Sequence, residues 1–117
     1  MMTTEKIRLL AIQALDDLQA IDLVCIDVQP LTSITDFMII CSGRSTRHVK
    51  SLADNVAMKA KEQGVTRVHV EGENDGEWVL VDLGDVVIHV MMPTTRAFYS
   101  LEELWEPIKE LREQGQS

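Results

Sequence analysis

Trp78-Val79-Leu80-Val81-Asp82-Leu83-Gly84-Asp85-Val86-Val87-Ile88-His89-Val90-Met91-Met92 is the stretch that decides the fold. Two runs rich in β-branched residues flank a short loop, Gly84-Asp85, with glycine first, the sequence of a type II′ hairpin turn. Such a turn fixes register: Leu83 opposes Val86, Asp82 opposes Val87, and the pairs continue outward. Side chains alternate across a strand, so the hairpin has two faces of different character. One carries Val79, Val81, Leu83, Val86, Ile88, Val90 and Met92. It is wholly apolar and must be core. The other carries Trp78, Leu80, Asp82, Val87, His89 and Met91. A core face rarely keeps an aspartate and a histidine, and a solvent face rarely keeps a tryptophan, a leucine and a methionine. Two readings fit this mixture. It is a recognition surface, where aromatic anchors stand among polar groups, or a helix covers it and leaves Asp82 and His89 at the wet margin.

Working outward, Val65–Glu71 alternates as a half-buried strand does, and Gly72–Gly76 is turn-like. Before it, Val49, Leu52, Ala53, Val56, Ala57 and Ala60 recur at helical spacing between Ser45 and Gln63. Ser45 suits the N-cap, and Gly64 suits the left-handed position after the last turn. Phe37–Cys41 and Asp22–Val28 read as short buried strands, the earlier one ended by Gln29-Pro30. Ile7, Leu10, Ala11, Ala14, Leu15 and Leu18 make the stripe of an amphipathic helix from about Thr4. Downstream, Ser100 with Glu103 has the form of a capping box opening a short helix, Leu101–Trp105. Helix, two strands, helix and three strands predict an α/β fold: one domain over 1–105, a mixed sheet of about five strands flanked by helices. A polar tail, 106–117, follows.

The chain has 117 residues, 45% hydrophobic and 26% charged, the balance of an ordinary globular domain. Its net charge of −8 disfavours extended contact with nucleic acid, whose binders are basic, and favours a basic protein partner. Cys25 and Cys41 lie inside apolar runs and read as buried thiols; a disulfide between them needs their strands to be neighbours. No apolar stretch reaches membrane-spanning length and no signal core opens the chain, so a cytosolic protein away from membranes is expected.

Few residues suggest catalysis. His48, His69 and His89 are not spaced with further ligands as a metal site requires, so no metal is expected. Ser42-Gly43-Arg44-Ser45 before a helix could cradle a phosphate, but it lacks the Gly-Lys-Ser/Thr ending of a P-loop. Nucleotidyl transfer would also need two carboxylates one residue apart on an adjacent strand to hold metal ions. Asp82 and Asp85 flank a hairpin turn instead. No catalytic residue and no cofactor is assigned.

Several segments together carry a family resemblance. Ser33-Ile34-Thr35-Asp36-Phe37-Met38-Ile39-Ile40-Cys41-Ser42-Gly43 leads into Ser45-Thr46-Arg47-His48-Val49. Val70-Glu71-Gly72 and the strand pair from Trp78 to Val90 follow, then Arg96, Phe98-Tyr99 and Leu101-Glu102-Glu103-Leu104-Trp105. From about Ile7 to Trp105 this resembles the ribosomal silencing factor, or Iojap, family. The resemblance implies a nucleotidyltransferase-like fold without the active site. It also implies a translation inhibitor that binds ribosomal protein fourteen of the large ribosomal subunit and blocks joining of the small subunit, lowering protein synthesis in stationary phase or starvation. A homodimer is possible on the same ground.

An acidic protein on a ribosome is expected to dock on a basic protein rather than on RNA. On the mixed face Trp78 is the expected anchor, with Leu80, His89 and Met91 beside it, and Asp82, Glu71 and Glu77 at the rim. Arg47, His48, Arg96 and Tyr99 match family positions, with binding and structural roles both open.

Overall fold

The computed structural model describes residues 3–101. Its elements are α1 (Thr4–Asp17), β1 (Ile21–Asp27), β2 (Phe37–Ser42), α2 (Thr46–Glu62), β3 (His69–Glu71), β4 (Trp78–Asp82), β5 (Val86–Met91) and α3 (Pro93–Tyr99). The strands form one mixed sheet in the order β1-β2-β5-β4-β3. β2 and β5 pair in parallel, and the other three pairings are antiparallel. The predicted α/β class with a five-stranded mixed sheet is what the chain adopts.

The decisive hairpin has the expected register. Asp82 pairs with Val87, Val81 with Ile88, Leu80 with His89, Val79 with Val90 and Trp78 with Met91. Leu83 donates its amide to the Val86 carbonyl at 2.9 Å, closing the turn. Gly84 takes φ +86° while Asp85 stays out of the left-handed region, the signs a type II′ turn needs.

α1 and α2 pack on the inner face of the sheet. There Val79, Val81, Leu83, Val86, Ile88 and Val90 meet Ile39 and Cys41 of β2, together with Ala11, Leu15, Leu52, Ala53 and Val56 of the helices, all of them buried. The two helices are joined by hydrogen bonds as well as by packing. Asn55 donates its side-chain amide to the Ala14 carbonyl at 2.7 Å. His48 spans the helix ends: its Nδ1 accepts from the Arg44 amide at 2.9 Å, and its Nε2 lies 2.7 Å from the Leu18 carbonyl. The outer face has a smaller buried cluster, Ile26, Val28, Ile40 and Met91, with Val24, Met38, Trp78 and Leu101 against it.

The structure corrects several local expectations. The third strand is only three residues, because Val65 to Val68 approach the sheet as irregular chain before pairing begins at His69. α3 was not anticipated, although Pro93 at its first turn is a recognised helix-start signal. Ser100 ends α3 in the left-handed conformation, φ 48°, with its hydroxyl donating to the Ala97 carbonyl, and Leu101 directly after it is again helical, where the expected short helix begins. Glu103, Trp105 and the polar tail lie outside the described residues. Cys25 is half-buried rather than buried, and both thiols are free although β1 and β2 are neighbours, because Cys25 pairs with Ile39 and not with Cys41. Burial pushes the Cys41 thiol up to about 12, which makes it an inert core group.

Candidate partner-binding face

The strip of outer face over β5, β4 and β3 brings most of the expected residues together. Trp78, Leu80, Asp82, Val87 and His89 are all half-buried there. A concavity between them is lined by Glu71, Gly72, Trp78, Leu80 and His89. Its shape depends on Gly72, which sits at φ +89°; a Cβ at that position would lie 2.1 Å from the Trp78 carbonyl oxygen. Only glycine lets the chain turn so closely against β4.

Trp78 is held from two sides. Its indole Nε1–H donates to His89 Nδ1 at 2.9 Å, and the two ring centroids are 5.8 Å apart. The Tyr99 ring from α3 lies 5.0 Å from the indole centroid at a 50° tilt. Phe98 meets Tyr99 edge-on at 5.0 Å and is itself 81% exposed. A row of rings, His89–Trp78–Tyr99–Phe98, thus runs from the sheet onto α3. Sequence reasoning left Tyr99 unassigned. The helix that presents it has no apolar period, and Pro93 was the one signal available.

The polar groups are largely engaged within the chain. Asp82 accepts from Arg67 at 2.9 Å and from the Gly84 amide at 2.8 Å. Glu71 lies 2.9 Å from His69 Nε2. Glu77 is exposed at the edge. Burial pushes the His89 imidazole down to about 4, so it is neutral at physiological pH, as its acceptor role toward the indole requires. Met91 departs from the expectation of a contact residue. Its side chain is fully buried among Ile26, Val28 and Ile40, a cluster against which Trp78 packs.

The turn before α2 is closed by the chain's own groups. Ser45 caps α2 by accepting from the His48 amide, and the Arg44 amide is taken by His48 Nδ1. Arg96 donates to Ser42 Oγ at 3.2 Å. Gly43 packs so closely on α2 that a Cβ would lie 2.8 Å from the Val49 nitrogen. These contacts give His48 and Arg96 bracing roles within the fold. Among the described residues no three His, Cys, Asp or Glu side chains are grouped to hold a metal ion, and no helix is long and apolar enough to cross a membrane.

Comparison with known proteins gives this surface its context. Residues 2–117 match the family model described as ribosomal silencing factor during starvation. A ribosomal silencing factor of Chromobacterium violaceum is 49% identical over 104 residues, covering 89% of this chain and 85% of the relative. Another, from Halalkalibacterium halodurans, is 39% identical, covering 89% of each chain. A crystal structure of a Chromobacterium violaceum protein superposes with a TM-score of 0.87 at 48% identity, covering 90% of this chain and 88% of that one. The chain therefore belongs to the ribosomal silencing factor family, whose members are ribosome-associated regulatory factors and not enzymes.

Proposed function

We propose that this protein docks on the large ribosomal subunit through that subunit's ribosomal protein fourteen and prevents the small subunit from joining by occupying the joining face. It acts in the cytoplasm and lowers protein synthesis in stationary phase or starvation. The observation that carries the reading is the half-buried strip around Trp78. A large aromatic held in place, flanked by Leu80 and His89 and edged by Glu71, Asp82 and Glu77, has the composition of an interface centre with a polar rim. A net charge of −8 suits a basic protein partner and speeds encounter with it. Inhibition then needs no chemistry, only exclusion of a second macromolecule from an occupied surface.

Co-sedimentation with purified large subunits tests this. Wild-type protein is expected to pellet with large subunits and to prevent small subunits from joining them. Trp78→Ala, once circular dichroism shows it folded, is expected to stay in the supernatant. A folded Trp78→Ala protein that pellets at full occupancy removes the strip from the interface.

A further inference from the structure

We infer that His89 is a positioning residue for docking: through Nδ1 it accepts the indole hydrogen of Trp78 and so fixes the plane that the aromatic anchor presents to the partner. The inference rests on the docking role proposed above for Trp78.

The hairpin register places Trp78 opposite Met91 and Leu80 opposite His89, so Trp78 and His89 are diagonal neighbours on the same face. Large side chains reach across that diagonal. The contact made is a 2.9 Å hydrogen bond from indole Nε1–H to Nδ1. It is directional, because the imidazole can accept at Nδ1 only as the tautomer with its proton on Nε2. An imidazolium would turn an N–H toward an N–H. Burial keeps the ring neutral, in agreement with the geometry.

Packing alone would leave the indole a choice of plane. Tyr99 touches the ring but offers no acceptor to Nε1. Met91 stands opposite it on β5 and is apolar. His89 removes the remaining freedom, and an anchor already ordered before binding loses less entropy on docking. The expected contribution is about threefold to tenfold in affinity.

The test uses the intact chain in two measurements. In the free protein, nitrogen NMR should show His89 protonated on Nε2 and bare on Nδ1, with the Trp78 indole hydrogen exchanging slowly with solvent. In co-sedimentation, His89→Leu, similar in bulk but lacking an acceptor, should bind large subunits about threefold to tenfold more weakly. His89→Asn, whose amide oxygen stands near the Nδ1 position, should recover most of that loss and restore slow indole exchange. A purely structural histidine would be replaced better by leucine than by asparagine. A fast-exchanging indole hydrogen, a proton on Nδ1, or a folded His89→Leu protein that binds as tightly as wild type overturns the assignment while wild type still binds. Wild-type protein that fails to pellet overturns the docking role itself, and this inference with it.

Discussion

The inner and outer faces of the β4–β5 hairpin come from the same fifteen-residue stretch, alternate residue by alternate residue, yet they do different work. Inward, Val79, Val81, Val86, Ile88 and Val90 are completely buried beneath two helices. Outward, Trp78, Leu80, Asp82, Val87 and His89 are half-buried, with Trp78 bonded to His89 and Asp82 to Arg67. The inner face is selected for volume, since close-packed aliphatics are interchangeable only at the cost of cavities. The outer face is held by directional contacts instead. Under the docking role proposed for Trp78, stability and recognition are separated by the pleat of one strand pair.

If that separation holds, substitutions on the two faces should give different signatures. Ile88→Ala, on the inner face, should lower the unfolding free energy by about 2–5 kcal/mol, seen as a lower urea midpoint with an unchanged slope. The next largest effect lies on the outer face and concerns pH. His89 in the unfolded chain takes a proton near pH 6.5, whereas in the folded protein it resists until about 4. The folded pKa is depressed, so the stability is present above pH 6.5 and is lost as pH falls through that window. The difference in unfolding free energy between wild type and His89→Asn should therefore shift by about 3 kcal/mol from pH 7 to pH 4. Trp78→Ala should weaken binding to large subunits by about 2 kcal/mol, roughly thirtyfold, while lowering stability less than Ile88→Ala does. Arg67→Ala breaks an exposed ion pair to Asp82 and should change stability by less than about 1 kcal/mol in denaturant titration. A reversal, with Trp78→Ala chiefly unfolding the protein and Ile88→Ala chiefly weakening binding, would erase the distinction between the faces.

Much of this division was legible in the sequence because it is local. Gly84-Asp85 specifies the turn, the turn specifies the register, and the register sorts the side chains. The caps of α2 at Ser45 and Gly64 were legible for the same reason. The Trp78–His89 bond was implicit in the register too, as a diagonal pair on one face. What escaped depends on distant chain. Whether Met91 is a contact or a core residue is decided by Ile26, Val28 and Ile40, which lie on other strands. Tyr99 reaches Trp78 only because α3 follows β5 directly, and its Pro93-Thr94-Thr95 opening hides the helix from a search for apolar period. Ser100 also ends α3, a role its place before helical Leu101 does not reveal. The engagement of Asp82 by Arg67 was likewise hidden, since irregular chain delivers the arginine.

The strand order has a consequence for how the molecule assembles. β1 and β2 form one ribbon, and β3, β4 and β5 form a second, each stitched between near neighbours in the chain. A single parallel seam, Phe37 to Ser42 against Val86 to Met91, welds the two. The last strand among the described residues therefore fills the middle of the sheet. Before it docks, both ribbons have a raw edge, and closing a loop that long is the slow event expected in folding. The strip proposed for docking lies on the strand that completes this seam and on its hairpin partner, so a chain that displays an ordered Trp78 is one whose sheet has already closed.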